Sequence, residues 1–545
     1  MKKFILLCTF CWGMLVPGAR ACTSFLAGRN ATIDGSTFIT YAADSHTLYG
    51  ALKFIPAARH PKNSTMEIRE WDTNKLLGHI PQVEYTYKVV GNMNEHQLSI
   101  TESTWGGRPE LVDTTGIIDY GSLMYIALQR AKTAREAITV MTDLVSEYGY
   151  YSSGESFSIA DPEEVWIMEM IGKGPQNQGA VWVAVRIPDD CIAAHANQSR
   201  IHKFPLDDKE NCLYSPDVIS FAREQGYFNG LNKDFSFADA YAPADFGALR
   251  GCEARVWSFY NRFNSSMGKY LSYLNGKSKE YLPLYIKPDK KLSVQDMKDA
   301  MRDHFEGTPF DMTQDVGAGP FKCPYRFRPM TFKVDSVEYT NERAVATQQT
   351  AFTLVAQMRS WLPNAIGGVL WFGVDDTNTC VYVPLYACLN EVPECYSELN
   401  GSMYDLSWTS AFWIHNWVAN MAYSRYDQMI EDIRPVQKDI ETIFNVQQPV
   451  IEKVANDLYR NDPVAAIRFL NAYSVAQAQQ TTVQWKKLGE FLLVKYLDGN
   501  RKKEKGGHFL ENGYGLPADP DFPGYSEEYY RAVAKDAGDR LKVAF

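Results

Sequence analysis

The chain has 545 residues, and its 65 acidic side chains against 55 basic ones give a formal charge of −10. An acidic surface of that kind argues against nucleic acid as a partner, because a phosphate backbone is repelled rather than attracted. A hydrophobic content of 45% supplies a large core, and no block of like charge or second long apolar segment points to a polybasic tail or a membrane span.

Lys2 and Lys3 precede an apolar run from Phe4 to Val16, after which Pro17 and Gly18 break any helix. The run is shorter than the roughly 20 residues of a membrane span, and Ala19-Arg20-Ala21 is the small-x-small pattern that signal peptidase accepts. Residues 1–21 therefore read as a signal peptide cut directly before Cys22. A Cys at the cut is also the lipoprotein arrangement, but Arg20 stands where that signal carries a small or apolar residue. The expectation is an exported protein, periplasmic or extracellular, with lipid anchoring the weaker alternative. Cleavage leaves about 524 residues and lowers the net charge to about −13.

Of ten cysteines, Cys8 and Cys11 leave with the signal, and Cys22, Cys191, Cys212, Cys252, Cys323, Cys380, Cys388 and Cys395 persist. If Cys22 stays reduced, seven remain, so at least one further thiol is free even where export permits disulfides; spacing does not give their pairing. None of the persisting cysteines shows CxxC spacing and the histidines are scattered, so a zinc site is not indicated.

From Cys22 the pattern is strand-like through Ala27. Turn residues Asn30 to Gly35 follow, and Ser36 to Ala43 is again β-prone. A hairpin centred near Thr32 to Asp34 places residues around Ala43 and Asp44 opposite Cys22. Helices are expected over Gly121 to Arg130 and after Thr133, where Thr133 and Glu136 match a capping box and Gly149 supplies a stop. Strands resume at Glu155 to Ala160, Val165 to Met170 and Val181 to Ile187, and a further β-rich stretch covers Ile366 to Tyr382. Blocks of strands and helices, rather than strict alternation, favour stacked layers with antiparallel pairing. Beyond about Ser407 the chain turns mainly helical, with long segments from Trp413 to Phe444 and Val450 to Tyr496. The division is thus signal 1–21, a core over 22–406 and a helical region over 407–545 packed on it.

A cysteine made residue one by processing carries a nucleophile and a base together, since its α-amine can take the thiol proton. The amine titrates at about 7.7 to 8.0 and the thiol at about 8.5, so a small local bias near neutral pH populates the reactive forms without a catalytic histidine.

Cys22-Thr23-Ser24-Phe25-Leu26-Ala27-Gly28 and Asp34-Gly35-Ser36-Thr37 resemble the opening of dipeptidase A family peptidases. Asn94-Glu95-His96, Thr101-Glu102-Ser103, the run Trp182 to Asp190 leading to Ala196-Asn197-Gln198, Arg302 to Asp311 and Arg359-Ser360-Trp361-Leu362-Pro363 extend the likeness. The family is similar in plan to penicillin V acylase and bile-salt hydrolase. The resemblance implies an α+β fold of the N-terminal-nucleophile type, an αββα four-layer sandwich with added C-terminal helices. It also implies Cys22 as nucleophile, Asp44 as the carboxylate orienting the terminal amine, and no cofactor. In the wider group an Arg precedes that Asp by three residues and lies beside the thiol; here Tyr41 replaces it. Asn197 is the candidate oxyanion donor, in the segment that supplies this amide in related acylases. Arg255, in Glu253-Ala254-Arg255-Val256-Trp257, resembles a later active-site Arg. Thr101 and Glu102 stay unassigned. Arg302, Asp303 and His304 tempt a triad reading, but neighbours in sequence diverge, so a structural or pocket role is preferred.

The resulting expectation is a cysteine-type dipeptidase that hydrolyses dipeptides or short peptides through a thioester, leaving a homo-oligomer open. Its alternatives are an amide acylase of the penicillin V or bile-salt type, and a secreted peptide- or glycan-binding protein with an inert Cys22.

Overall fold

The computed structural model describes residues 22–543, so the signal-peptide reading of 1–21 lies outside the described residues. The main strands are β1 (Ser24–Ala27), β2 (Thr37–Asp44), β3 (Ser99–Trp105), β4 (Gly154–Ala160), β5 (Val165–Gly172), β6 (Ala180–Arg186), β7 (Ile192–His195), β8 (Thr350–Met358), β9 (Val369–Val374) and β10 (Val383–Tyr386). Tyr285–Ile286, β7, β1, β2, β8, β9 and β10 succeed one another in a seven-stranded sheet. An eight-stranded sheet runs from Cys212–Tyr214 through β6, β5, β4 and β3 to three two-residue strands. Every ladder in the two sheets is antiparallel.

The first hairpin forms where turn chemistry predicts it. Asp34 accepts hydrogen bonds from the backbone N–H and hydroxyl of Ser36 at 3.0 and 2.8 Å, and Gly35 takes a φ of +85° that a side chain would strain. The register pairs Ala27 with Phe38 and Leu26 with Ile39, and a bridge joins Thr23 to Ala42, which brings Cys22 level with Ala43. The expected placement of Asp44 near Cys22 follows from this register.

The two sheets face each other through small and polar side chains. Ser24 Oγ lies 3.3 Å from Thr101 Oγ1, and the His195 ring is hydrogen-bonded to Ser103 and Ser158 at 2.6 and 2.7 Å. On the outer face of the eight-stranded sheet, α1 (Tyr120–Arg130) and α2 (Ala134–Tyr148) cover an apolar layer containing Ile100, Phe157, Trp166 and Met168. Thr133 caps α2 by accepting from the Glu136 N–H, and Gly149 ends it at φ +75°. The other sheet is covered by α3 (Ala254–Phe263), α4 (Val294–Met301) and three long C-terminal helices, α5 (Ala411–Ser424), α6 (Tyr426–Tyr459) and α7 (Pro463–Lys495). The layers are therefore helix, sheet, sheet, helix, in a mixed α+β fold.

Two stretches differ from expectation. The expected segments Trp413–Phe444 and Val450–Tyr496 are instead three helices: Arg425 leaves helical geometry (φ −148°, ψ 55°), its guanidinium binding the carbonyls of Tyr496 and Asn500 at the far end of α7, and α6 runs on through Pro435 and Pro449 to Tyr459 without the expected gap after Phe444. The β-rich stretch from Ile366 to Tyr382 contains only β9. Past it, Asp375 has φ +64° and the Asp376 carboxylate accepts from Thr379, making a turn. Among the described residues all eight cysteines are unpaired thiols.

Candidate active site

Cys22 lies at the entrance to β1, 4% exposed. Its Sγ is 3.3 Å from Glu102 Oε1 on β3 and 3.8 Å from the Tyr41 hydroxyl on β2, and the backbone N–H of Asp44 also bonds to the thiol. Tyr41 in turn donates a very short hydrogen bond to the same Glu102 oxygen. Burial pushes the thiol well above its usual range and the negative charges of Glu102 and Asp44 push it further, against the bonds from Asp44 and Tyr41. Tyr41 thus occupies the thiol's flank and offers it a phenolic donor.

Arg255 sits in the first turn of α3, 1% exposed, with all five N–H groups engaged. Nε donates to Gly251 O at 2.7 Å, Nη1 to Cys22 O and Thr23 Oγ1 at 2.7 Å each, and Nη2 to Ala196 O at 3.1 Å and Asn197 Oδ1 at 2.9 Å. The fork therefore ties the backbone of Cys22 to the side chain of Asn197, a task that a point charge on a lysine does not perform. Burial and the neighbouring Arg343 lower the Arg255 guanidinium to about 10.

Asn197 follows β7 with φ +59°, a left-handed backbone that Asn tolerates better than most residues. Its Nδ2 donates to Thr104 O at 2.6 Å and its backbone N–H to Ser103 Oγ at 3.3 Å. Behind it, Glu169 accepts from Ser199 Oγ, Arg200 N and Ile201 N at 2.5, 2.6 and 3.2 Å, and Arg200 pairs with Glu253 at 2.9 Å. The loop carrying Asn197 is thereby held from both sides.

Asp44 ends β2 with its carboxylate buried between Arg343 and Thr350, whose Oγ1 donates at 2.5 Å. Burial raises its carboxyl, and Arg343 and Thr350 oppose that rise. Arg343 also lines a cavity of ≈ 130 Å³ together with His46, Tyr325 and Arg328.

Of the four residues expected at the site, Cys22, Arg255 and Asn197 are joined by direct hydrogen bonds, and Asp44 adjoins Cys22 through its backbone. Arg302, Asp303 and His304 diverge, to Glu441, to Arg262 and Ser258, and to Glu306. Glu102, Glu155 and Arg343 were not assigned from sequence. The signal for the first two was local: Thr101-Glu102-Ser103 and Gly154-Glu155-Ser156 put a carboxylate inside strands that are buried throughout. For Arg343 there was none, since it reaches Asp44 across 299 positions of chain.

The family model for peptidase family C69 matches residues 21–439. A probable dipeptidase of Latilactobacillus sakei is 27% identical over 425 residues, covering 74% of this chain and 82% of that protein. A probable dipeptidase of Salmonella dublin is 27% identical over 408 residues, covering 71% and 85%, and a probable dipeptidase B of Streptococcus pyogenes serotype M1 is 23% identical over 512 residues, covering 88% and 94%. The matched span takes in Cys22, Glu102, Asn197, Arg255 and Arg343, and the chain belongs to peptidase family C69.

Proposed function

We propose that this protein is an exported dipeptidase whose nucleophile is the thiol of Cys22, freed as residue one by signal peptidase. The supporting observation is the convergence on Cys22 of three segments distant in sequence, with the Arg255 guanidinium bonded both to Cys22 O and to Asn197 Oδ1. In this reading the liberated α-amine, oriented by Asp44, takes the thiol proton, and the thiolate attacks the substrate's peptide carbonyl. Asn197 stabilises the oxyanion, the α-ammonium returns its proton to the leaving amine, and a thioester forms. Water, deprotonated by the same amine, then cleaves the thioester, giving the carboxylic product and restoring the thiol. The substrates are dipeptides or short peptides, as the relatives' names suggest for those proteins.

The test is turnover of a dipeptide panel, alongside penicillin V and a conjugated bile salt, by the processed protein and by Cys22→Ala. Hydrolysis of dipeptides that vanishes in Cys22→Ala supports the proposal. Turnover that survives the substitution, or that is confined to the acylated amides, refutes it.

A further inference from the structure

Several buried acids meet a guanidinium: Glu441 with Arg302, Glu253 with Arg200, Glu452 with Arg359 and Asp44 with Arg343. Glu102 and Glu155 do not. They stand on adjacent antiparallel strands, where Glu155 pairs with Thr104 and Glu102 with Phe157, at 1% and 0% exposure. Burial raises both carboxyls, and the charge of Glu102 pushes Glu155 further up. Glu155 also accepts from Thr104 Oγ1 at 2.9 Å, and Glu102 from Cys22 and Tyr41, but Glu102 Oε2 and Glu155 Oε1 receive no other donor. Asp72, beside Tyr120, adds a third acid nearby, and the phenols Tyr125 and Tyr150 are further titratable neighbours. Among the described residues no Lys, Arg or His forms an ion pair with either glutamate, so the strands bury negative charge without its usual compensation.

The missing cation fits the substrate. In a peptide the α-nitrogen is about 2.5 Å from the carbonyl carbon of its own residue, given N–Cα and Cα–C bonds near 1.46 and 1.52 Å. A carbonyl poised for attack lies about 3 to 3.5 Å from the sulfur. The first residue's ammonium therefore falls within a few ångströms of Sγ, and Glu102 Oε1 is 3.3 Å from Sγ.

We propose that Glu102, backed by Glu155, is the subsite for the free α-ammonium group of the substrate, so that Cys22 attacks the carbonyl of an unblocked first residue. The proposal rests on Cys22 being the nucleophile. When the thiol loses its proton, Glu102 Oε1 loses a donor and faces a thiolate; an ammonium between them replaces that donor and neutralises the repulsion. Peptides blocked at the N-terminus lack the group that does so.

The test compares Ala-Ala with propionyl-alanine, the same molecule without the amine, on processed full-length protein. The wild type should prefer Ala-Ala by about 100-fold in kcat/KM, and Glu102→Gln, which also touches the thiol and lowers both rates, should cost Ala-Ala about 10- to 100-fold more than propionyl-alanine, the extra loss falling mainly in KM. The preference then collapses. An undiminished preference in Glu102→Gln, or an equal loss on both substrates, overturns the subsite. Calorimetric binding of the two ligands to Cys22→Ala reads the ammonium's worth with both glutamates in place, so folding of the glutamine variant is not a precondition. Tighter binding of Ala-Ala by at least about tenfold is expected, and equal affinities overturn the proposal. Failure of the nucleophile reading is separable: an active Cys22→Ala removes both claims, whereas an inactive Cys22→Ala with no amine preference removes only this one.

Discussion

Where α6 crosses the seven-stranded sheet, Arg302 meets Glu441 at 2.5 Å and the same carboxylate accepts from the backbone N–H of Tyr382 at 2.9 Å; beside Cys22, Glu102 and Glu155 stand on adjacent strands, and among the described residues no Lys, Arg or His pairs with either. Both places are buried, yet one closes its charges into pairs and the other keeps them open. Closed pairs at Arg302–Glu441 and Arg359–Glu452 tie loops of the core to a helix more than 90 positions further along the chain. The open set adjoins the Cys22 thiol, whose proton moves in the proposed reaction.

The comparison breaks most visibly if the closed pair proves dispensable. Glu441→Ala leaves Arg302 buried with no carboxylate except Asp299 at its edge, and should cost about 3 to 5 kcal/mol in denaturant unfolding. A loss under about 1 kcal/mol would show that the pair holds little. Next comes the clamp between the two kinds of region. Arg255→Lys keeps one charge but cannot bridge Cys22 O, Thr23 and Asn197 together, so kcat should fall about 100- to 1000-fold with a far smaller change in melting temperature. Tyr41→Phe removes the hydroxyl bonded to Glu102 and should lower kcat about tenfold, with the pH-rate profile displaced, because Glu102 loses a donor that favours its ionised form. An unchanged profile would exclude the phenol from the thiol's chemistry.

A separate, pH-dependent effect on stability concerns His195, whose ring is held neutral between Ser103 and Ser158, with burial lowering it to about 3. The unfolded chain protonates this ring near pH 6.5, so the unfolded state binds more protons between pH 6.5 and about 3. Stability from this group is therefore complete above 6.5 and lost as the pH falls, at about 1.4 kcal/mol per pH unit. His195→Asn should flatten the acid limb of an unfolding series from pH 7 to pH 4 by that slope. His415, also buried and lowered to about 3, keeps its own share.

What the sequence made legible was local. The turn chemistry of Asp34 and Gly35 sets the register that brings Asp44 to Cys22, and the Thr133 cap and Gly149 stop delimit α2 within its own residues. Arg255 and Asn197 came only from family likeness, because their meeting depends on α3 packing against the end of β7. Glu102 and Glu155 stayed unread for a related reason: a Glu within a strand looks the same whether it faces water or a thiol, and stacking of the two sheets decides which. The break at Arg425 was hidden likewise, since the carbonyls that draw its side chain away lie 71 and 75 positions downstream.

The central claim is that catalysis starts from a sulfur and an amine on one residue. Intact mass and N-terminal sequencing of active, exported protein test it most directly. The account predicts a chain that begins at Cys22 with an unmodified α-amine; fully active material that retains residues upstream of Cys22, or carries an acyl group on that nitrogen, would contradict it.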